Sequence, residues 1–200
     1  MTENEIIKLL KPETEIERFI LTFPEVLKGL DWGIPRFGHP EGKVVYHIVE
    51  IFKNLENIRP VLSLQDYQTL RIIALLHDTF KFRENRNIPR DWTQHHSVLA
   101  ADFAEKIISD KIIIDIIRNH DEAYYCWALF VFDLNPYDAQ KRLAWLLDEI
   151  GYCLQLYYIF FTCDTATGDK NQIPVRWFEE NVSGLEPIFF KEQQTTNNQY

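Results

Sequence analysis

One stretch, residues 71–90 with the sequence RIIALLHDTFKFRENRNIPR, limits the possible folds of this chain more than any other. A strongly apolar run ends abruptly in an adjacent imidazole and carboxylate, His77 and Asp78. On a helix, Leu70, Ile73 and Ala74 share a face with His77, so the imidazole continues a stripe that points inward. Because burial of an unpartnered charged group costs several kcal/mol, the fold must supply these two side chains with partners.

Apolar residues recur at helical spacing in most of the chain, and little of the sequence alternates with a period of two. With 46% hydrophobic residues, the 200 residues suffice for one sizeable core, and no shift in composition divides them. The sequence therefore predicts an all-α fold in a single domain. We expect an N-terminal helical extension at 1–35, the main helical bundle at 36–170, a C-terminal helical extension at 171–190 and a flexible tail at 191–200.

Helical spacing places a polar residue on the apolar side of several predicted helices. The apolar face of residues 44–55 includes His47, and the face of residues 111–120 ends with His120. A long apolar pattern from about 139 to 163 leads to Asp164. Although this pattern contains Gly151, we predict one continuous helix there.

Two of the expected helices have recognisable starts. Ser63 is a good N-cap for the helix that precedes the histidine–aspartate pair. We predict that Thr93 caps the next helix, whose apolar face begins with His96. His95 falls on another face of that helix and is predicted to point outward.

Charge and composition exclude several classes of function. The formal net charge of −9 disfavours a nucleic-acid surface, which needs clustered Lys and Arg. The three cysteines form no CxxC pair, which argues against a zinc ribbon or disulfide framework and favours a reducing compartment. No apolar run reaches the roughly 18 residues that cross a bilayer, and the first residues lack a signal-peptide core. We expect a cytoplasmic protein without a membrane partner, and no sequence feature supports a particular oligomer.

Six polar residues share the same placement near a helix end: His47, His77, Asp78, His96, His120 and Asp164. Any single histidine among them could be a core residue hydrogen-bonded to a backbone carbonyl. A metal centre explains all six together, because imidazole nitrogen and carboxylate oxygen are ligands of zinc, manganese, iron and similar ions. Two carboxylates and four neutral imidazoles carry about −2, so two divalent ions would leave the pocket at about +2.

The order of these residues resembles the HD-domain superfamily of metal-dependent phosphohydrolases, over residues 36–170. HPEGKVVYH is similar to the corresponding segment of HD domains attached to tRNA nucleotidyltransferases. LLHDTFK is similar to the family's LLHD with a Lys three residues after the Asp. The segments that carry the later histidines and the closing aspartate are also similar, namely QHHSVLAADFAEKI, IIRNH and FFTCDTATG.

The resemblance implies an HD-domain helical bundle whose cofactor is a divalent transition metal, with two ions drawn from Mn, Fe, Co, Ni or Zn. One ion would be held by His47, His77, Asp78 and Asp164. The second would be held by His96, His120 and a bridging Asp78. The implied reaction is hydrolysis of a phosphoester or phosphoanhydride in a nucleotide or another small phosphorylated metabolite, by a metal-bridged hydroxide.

Further roles follow from the resemblance and from the basic loop after the His-Asp pair. Asp78 is expected to be catalytic, Lys81 to contact the substrate phosphate, and His95 to donate a proton to the leaving group. Other candidate substrate contacts are Arg83, Arg86, Arg90 and His39. A solvated loop would show the same arginines and the same histidine, so both interpretations stay open for these four residues.

The chain departs from two subfamilies, and two other functions remain compatible with its motifs. The GYP element of cyclic di-GMP phosphodiesterases is absent, and Phe80 and Lys81 replace the Glu-Asp pair that follows HDT in guanosine tetraphosphate hydrolases. A mixed-valent di-iron HD-type oxygenase, which cleaves a C–C or C–P bond, would use the same order of ligands. A metal-free HD-like signalling module would use the scaffold alone.

Overall fold

The helix before the His77–Asp78 pair lies at the centre of the structure. The computed structural model describes residues 1–38, 40–85 and 87–190, and it places this helix at Leu64–Leu76. All of its residues from Thr69 to Leu76 are buried, so the apolar run is covered by protein on every face. Ser63 caps the helix as predicted, since its Oγ accepts a hydrogen bond from the Asp66 backbone N–H at 3.0 Å.

The described residues form α-helices and short 3-10 turns without a strand, which confirms the all-α prediction. Numbered along the chain, the α-helices are α1 (Glu3–Leu10), α2 (Glu15–Ile20), α3 (Pro24–Leu30), α4 (Val44–Ile58), α5 (Leu64–Leu76), α6 (His96–Ala104), α7 (Lys111–Asn119), α8 (Glu122–Val131), α9 (Pro136–Ile150), α10 (Leu154–Thr165) and α11 (Ile173–Asn181). Within the described ranges, none of these helices is both long enough and apolar enough to cross a membrane.

Helices α4, α7 and α10 pack directly against α5 and enclose it. Helix α6 packs on α7, while α8 and α9 pack on each other and α11 packs on α8. Apart from Ala139, the buried apolar residues of these helices belong to one continuous cluster. The central helix therefore ends inside the bundle, where the His77–Asp78 pair is surrounded by the neighbouring helices.

The first three helices pack on the outside of this bundle. Helix α1 contacts α4, and α2 contacts α5. Thr2 and Thr14 each start a helix through a capping box with the Glu three residues later. A buried ion pair ties α2 to α5, because Arg71 Nε donates to Glu17 Oε1 at 2.6 Å.

The second half of the chain differs from the sequence prediction at one helix. The predicted continuous helix over 139–163 is broken, since α9 ends at Ile150, a 3-10 turn spans Gly151–Cys153 and α10 begins at Leu154. Glycine costs about 1 kcal/mol relative to alanine inside a helix, which favours a break at this position. In the C-terminal extension only Ile173–Asn181 is helical. The predicted tail at 191–200 lies outside the described residues.

Candidate metal centre

Five segments bring the six predicted residues together at one end of α5. His77 caps the C-terminus of α5 and His120 caps that of α7. His47 lies in the first turn of α4, and His96 is the first residue of α6. Asp164 lies in the last turn of α10. Their side chains are 1–5% exposed for the four histidines and Asp78, and 14% exposed for Asp164.

Asp78 lies between two pairs of histidines. Its Oδ2 is 3.6 Å from His47 Nε2 and 3.5 Å from His77 Nε2. Its other oxygen, Oδ1, is 3.3 Å from His96 Nε2 and 3.5 Å from His120 Nε2. Each carboxylate oxygen therefore faces its own pair of imidazoles, which is the arrangement of a bridging carboxylate.

The first pair of histidines is completed by Asp164. Its Oδ1 lies 2.9 Å from His47 Nε2 and 3.8 Å from His77 Nε2. Lys170 Nζ donates a hydrogen bond to the same oxygen at 2.9 Å. We call His47, His77, Asp164 and Asp78 Oδ2 the first ligand group, and His96, His120 and Asp78 Oδ1 the second ligand group.

Two of the imidazoles are oriented by the carbonyls at the ends of their own helices. His77 Nδ1 lies 2.9 Å from the Ala74 carbonyl oxygen, and His120 Nδ1 lies 2.8 Å from that of Ile117. A carbonyl accepts only from N–H, so these contacts place the proton on Nδ1 and leave the lone pair of Nε2 for the centre. The Nε2 atom of His77 is buried and has no hydrogen-bond partner within the described part of the chain.

Carboxylates lie behind the other two imidazoles. Glu41 Oε1 is 3.6 Å from His47 Nδ1, and Glu84 Oε2 is 3.4 Å from His96 Nδ1. Both glutamate side chains are almost completely buried, at 5% and 1% exposed. Carboxylates in this position orient a metal-binding histidine and increase its basicity.

The donor atoms are spaced as ligands of a transition metal require. The Nε2 atoms of His96 and His120 are 3.3 Å apart, and both lie 3.3–3.5 Å from Asp78 Oδ1. Ligands at about 2.0–2.2 Å from a tetrahedral ion are about 3.3–3.6 Å from one another, so these donors fit such an ion. The nitrogen and oxygen donors, without a thiolate, also suit Mn, Fe, Co, Ni and Zn.

Charges around the first group keep its ligands in the protonation states that bind metal. Burial lowers the pKa of His47 to about 4, and the nearby Lys170 ammonium acts in the same direction. Burial would raise the pKa of Asp78, but its interactions with His77 and Lys81 outweigh it and hold the pKa well below its usual value. At neutral pH this group therefore offers a neutral imidazole and an ionised carboxylate.

In the second ligand group, by contrast, the pKa values of the imidazoles are raised. Burial alone would lower the pKa of His96, but its contacts with Asp121, Asp78 and Glu84 raise it to about 10. The pKa of His120 is also raised, because Asp121 and Asp78 outweigh its burial. Without an ion, His96 therefore holds a proton that a metal would have to displace.

Lys81 lies beside the centre and borders its opening. Its Nζ donates a hydrogen bond to Asp78 Oδ2, and its side chain is 13% exposed. Burial would lower the pKa of Lys81, but the carboxylates of Asp78 and Asp121 outweigh it and raise the pKa. A narrow cleft reaches this ammonium from the surface, and its lining includes Trp32, Arg36, Glu41 and His47.

The prediction that His95 points outward is wrong. The residue is 3% exposed, and it serves as the N-cap of α6 in place of the predicted Thr93. Its Nδ1 lies 2.7 Å from Ser97 Oγ, and its Nε2 lies 2.9 Å from the Tyr125 hydroxyl. Burial and the neighbouring His96 lower the pKa of His95 to about 3, so its imidazole is neutral at neutral pH.

Two candidate substrate contacts on the loop after Lys81 form ion pairs with glutamates. Arg83 is 50% exposed and pairs with Glu25 at 3.3 Å. Arg90 pairs with Glu84 and lies over the Trp92 ring, 4.6 Å from its centroid. Two further candidates, His39 and Arg86, lie outside the described residues.

Sequence reasoning missed Asp121, which lies beside the second ligand group. Its Oδ2 is 3.2 Å from His96 Nε2 and 3.6 Å from His120 Nε2. The available signal was a second His-Asp dipeptide, since Asp121 directly follows His120 as Asp78 follows His77. The carboxylates behind His47 and His96, from Glu41 and Glu84, were missed as well because they lie in loops without a helical pattern.

Comparison with known proteins agrees with this geometry. The HD domain family model matches residues 44–141, a range that contains all four histidines and Asp78 but ends before Asp164. Comparisons with curated proteins and with solved structures gave no significant match. The matched range is narrower than the predicted 36–170, although α10, which carries Asp164, packs on α4 and α5 of the matched part. Residues 44–141 therefore form an HD domain, a family whose members are generally metal-dependent hydrolases.

Proposed function

We propose that this protein is a metal-dependent phosphohydrolase that cleaves a phosphoester or phosphoanhydride of a small phosphorylated metabolite, such as a nucleotide. The observation that carries the proposal is the position of Asp78. One oxygen of its carboxylate faces His47 and His77, the other faces His96 and His120, and an ammonium lies at its edge. This combination supports two cations and a phosphate in one pocket.

Two ions are proposed, one in each ligand group. When bound, such ions would lower the pKa of a coordinated water from that of bulk water towards about 7 and stabilise charge on a phosphoryl oxygen. The chain's own part is to hold the donors in place. The backbone carbonyls of Ala74 and Ile117 fix the rings of His77 and His120, so the Nε2 atoms face the pocket.

Lys81 is proposed to bind the substrate phosphate. Its ammonium hydrogen-bonds Asp78 Oδ2, the oxygen that also faces the first ligand group. If that oxygen were a metal ligand, the ammonium would be free to bind a phosphate oxygen. The raised pKa of Lys81 keeps it positively charged throughout the neutral range.

The shape and charge of the opening favour a small substrate. The cleft at His47, Asp78 and Lys81 is narrow, and Trp32 and Arg36 contribute to its walls. The chain as a whole carries −9, which repels an extended polyanion. These features support a phosphorylated metabolite over a nucleic acid.

The proposal is tested by assaying purified protein, loaded with Mn²⁺, Co²⁺ or Ni²⁺, on generic phosphoesters and on nucleotides. We expect metal-dependent release of phosphate. Asp78→Ala should abolish it, because the variant loses the donor shared by both ligand groups. Asp133→Ala, which changes an exposed aspartate, should keep the wild-type rate. Circular dichroism of both variants would establish that they remain folded.

Three outcomes would contradict the proposal. A folded, metal-loaded protein that is inert on a broad phosphorylated library would argue against hydrolysis. An EPR signal from a mixed-valent iron pair, with oxygen consumption, would indicate the di-iron oxygenase instead. Equilibrium dialysis without any bound transition metal would favour the metal-free signalling module.

A further inference from the structure

Asp121 is a charged residue that the six-residue set leaves without a role. It occupies the N-cap position of α8, directly after His120. Its Oδ2 lies 3.2 Å from His96 Nε2 and 3.6 Å from His120 Nε2. These are the same two nitrogen atoms that face Asp78 Oδ1. The carboxylate therefore approaches the second ligand group from a further direction.

The distances place Asp121 at ligand spacing from both imidazoles. Its Oδ2 is 3.2 Å from His96 Nε2 and 3.6 Å from His120 Nε2, and the two nitrogen atoms are 3.3 Å apart. Ligands at about 2.0–2.2 Å from a tetrahedral ion, the bond length of zinc and similar ions to imidazole and carboxylate, are about 3.3–3.6 Å from one another. Asp121 therefore lies where it can share an ion with the two imidazoles.

The second observation is that the Asp121 side chain does not cap its helix. Aspartate at an N-cap ordinarily accepts a hydrogen bond from a backbone N–H in the first turn of its helix. In α8 the cap side chain makes no such bond. The Ala123 N–H donates instead to the Tyr157 hydroxyl at 3.1 Å, and that hydroxyl donates to the Asn119 carbonyl at 2.9 Å. Tyr157 therefore takes over the capping function, and the carboxylate is turned towards the imidazoles.

We propose that Asp121 is a metal ligand that completes the second ligand group. With it, the two groups have the same composition of two imidazoles, one terminal carboxylate and one oxygen of Asp78. Asp164 is the terminal carboxylate of the first group and Asp121 that of the second. A divalent transition metal such as Co²⁺ should therefore bind in both groups. This inference rests on the proposed metal centre but not on the proposed reaction.

The test is a titration of the full-length, metal-free protein with Co²⁺, followed by calorimetry and by visible absorption, which reports the number of ligands around cobalt. Wild type should bind two ions. Asp121→Asn keeps the size and capping ability of the residue. It should lower the affinity for one of the two ions by at least about tenfold. Asp164→Asn should lower the affinity for the other ion, with a different change in the cobalt spectrum. Asp133→Asn, an exposed control with the same change of charge, should bind as wild type does.

The possible results separate this inference from the proposed function. If Asp121→Asn binds two Co²⁺ ions with wild-type affinity and spectrum, Asp121 is only an ion-pair partner of protonated His96, and the inference is overturned while the phosphohydrolase proposal stands. An equal loss in Asp121→Asn and Asp133→Asn would also overturn it, since a general charge effect would then suffice. Wild type that binds no Co²⁺ would remove the metal centre together with the inference.

Discussion

At the scale of single residues, helical spacing predicted the inward side chains within a helix or at its C-cap, but not those that precede the first helical residue. His47 and His96 lie within their helices, and both are buried as their spacing requires. His95 precedes the first residue of α6, where the backbone is extended with φ −66° and ψ 142°, so the helical wheel does not apply to it. Asp121 lies in the junction between α7 and α8, so helical spacing does not predict where its side chain points either.

The protonation of His96 leads to a prediction about pH. In the metal-free protein its pKa is raised to about 10, above the ordinary 6.5, so the imidazole is protonated at neutral pH. A metal binds only the neutral ring, so binding must release a proton, and the affinity must fall as the pH is lowered from about 8 to about 6. Calorimetric titrations in two buffers with different ionisation enthalpies would measure this release. Heats that do not depend on the buffer, with an affinity independent of pH, would contradict the assigned protonation.

At the scale of helices, the centre depends on where the helices end. Helices α5 and α7 end in His77 and His120, and the carbonyls one turn earlier accept hydrogen bonds from these rings. The start of α5 was predictable because Ser63 is a local capping signal. The break at Gly151 was not predictable, because apolar spacing continues through the glycine. Only the packing of α10 against α4 and α5 sets the direction of α10.

The contact between α3 and the turn after α5 gives a prediction about stability. A Cβ on Gly29 would lie 1.7 Å from the Thr79 carbonyl oxygen, so Gly29→Ala has to push α3 away from the residue next to Asp78. We expect it to lower the free energy of unfolding by about 1–3 kcal/mol, as overpacking does. Urea denaturation of the metal-free variant would measure this cost.

Gly151→Ala is the matched control. A Cβ there meets no described atom within 4 Å, and φ is −53°, which alanine adopts freely. This variant should be neutral or more stable by up to about 1 kcal/mol. Equal unfolding curves for the two variants would show that the close approach of α3 to Thr79 is not required for stability.

At the scale of the whole molecule, the acidic chain supplies cationic partners to the buried carboxylates of the centre. The chain carries −9, yet the ammonium groups of Lys81 and Lys170 hydrogen-bond the carboxylates of the centre. The all-α class and the meeting of six polar residues were predictable, because each buried polar group needs a partner and the helices could supply it only to one another. The course of the loops that carry Glu41 and Glu84 was not predictable, since no local sequence pattern determines it.

The central claim is that Asp78 lies between two metal ions, and anomalous scattering tests it most directly. Crystals grown with Co²⁺ would be measured on both sides of the cobalt absorption edge. We expect two anomalous peaks, one between Asp78 Oδ2 and the pair His47 and His77, the other between Oδ1 and the pair His96 and His120. A single peak, or peaks away from the Asp78 carboxylate, would contradict the account.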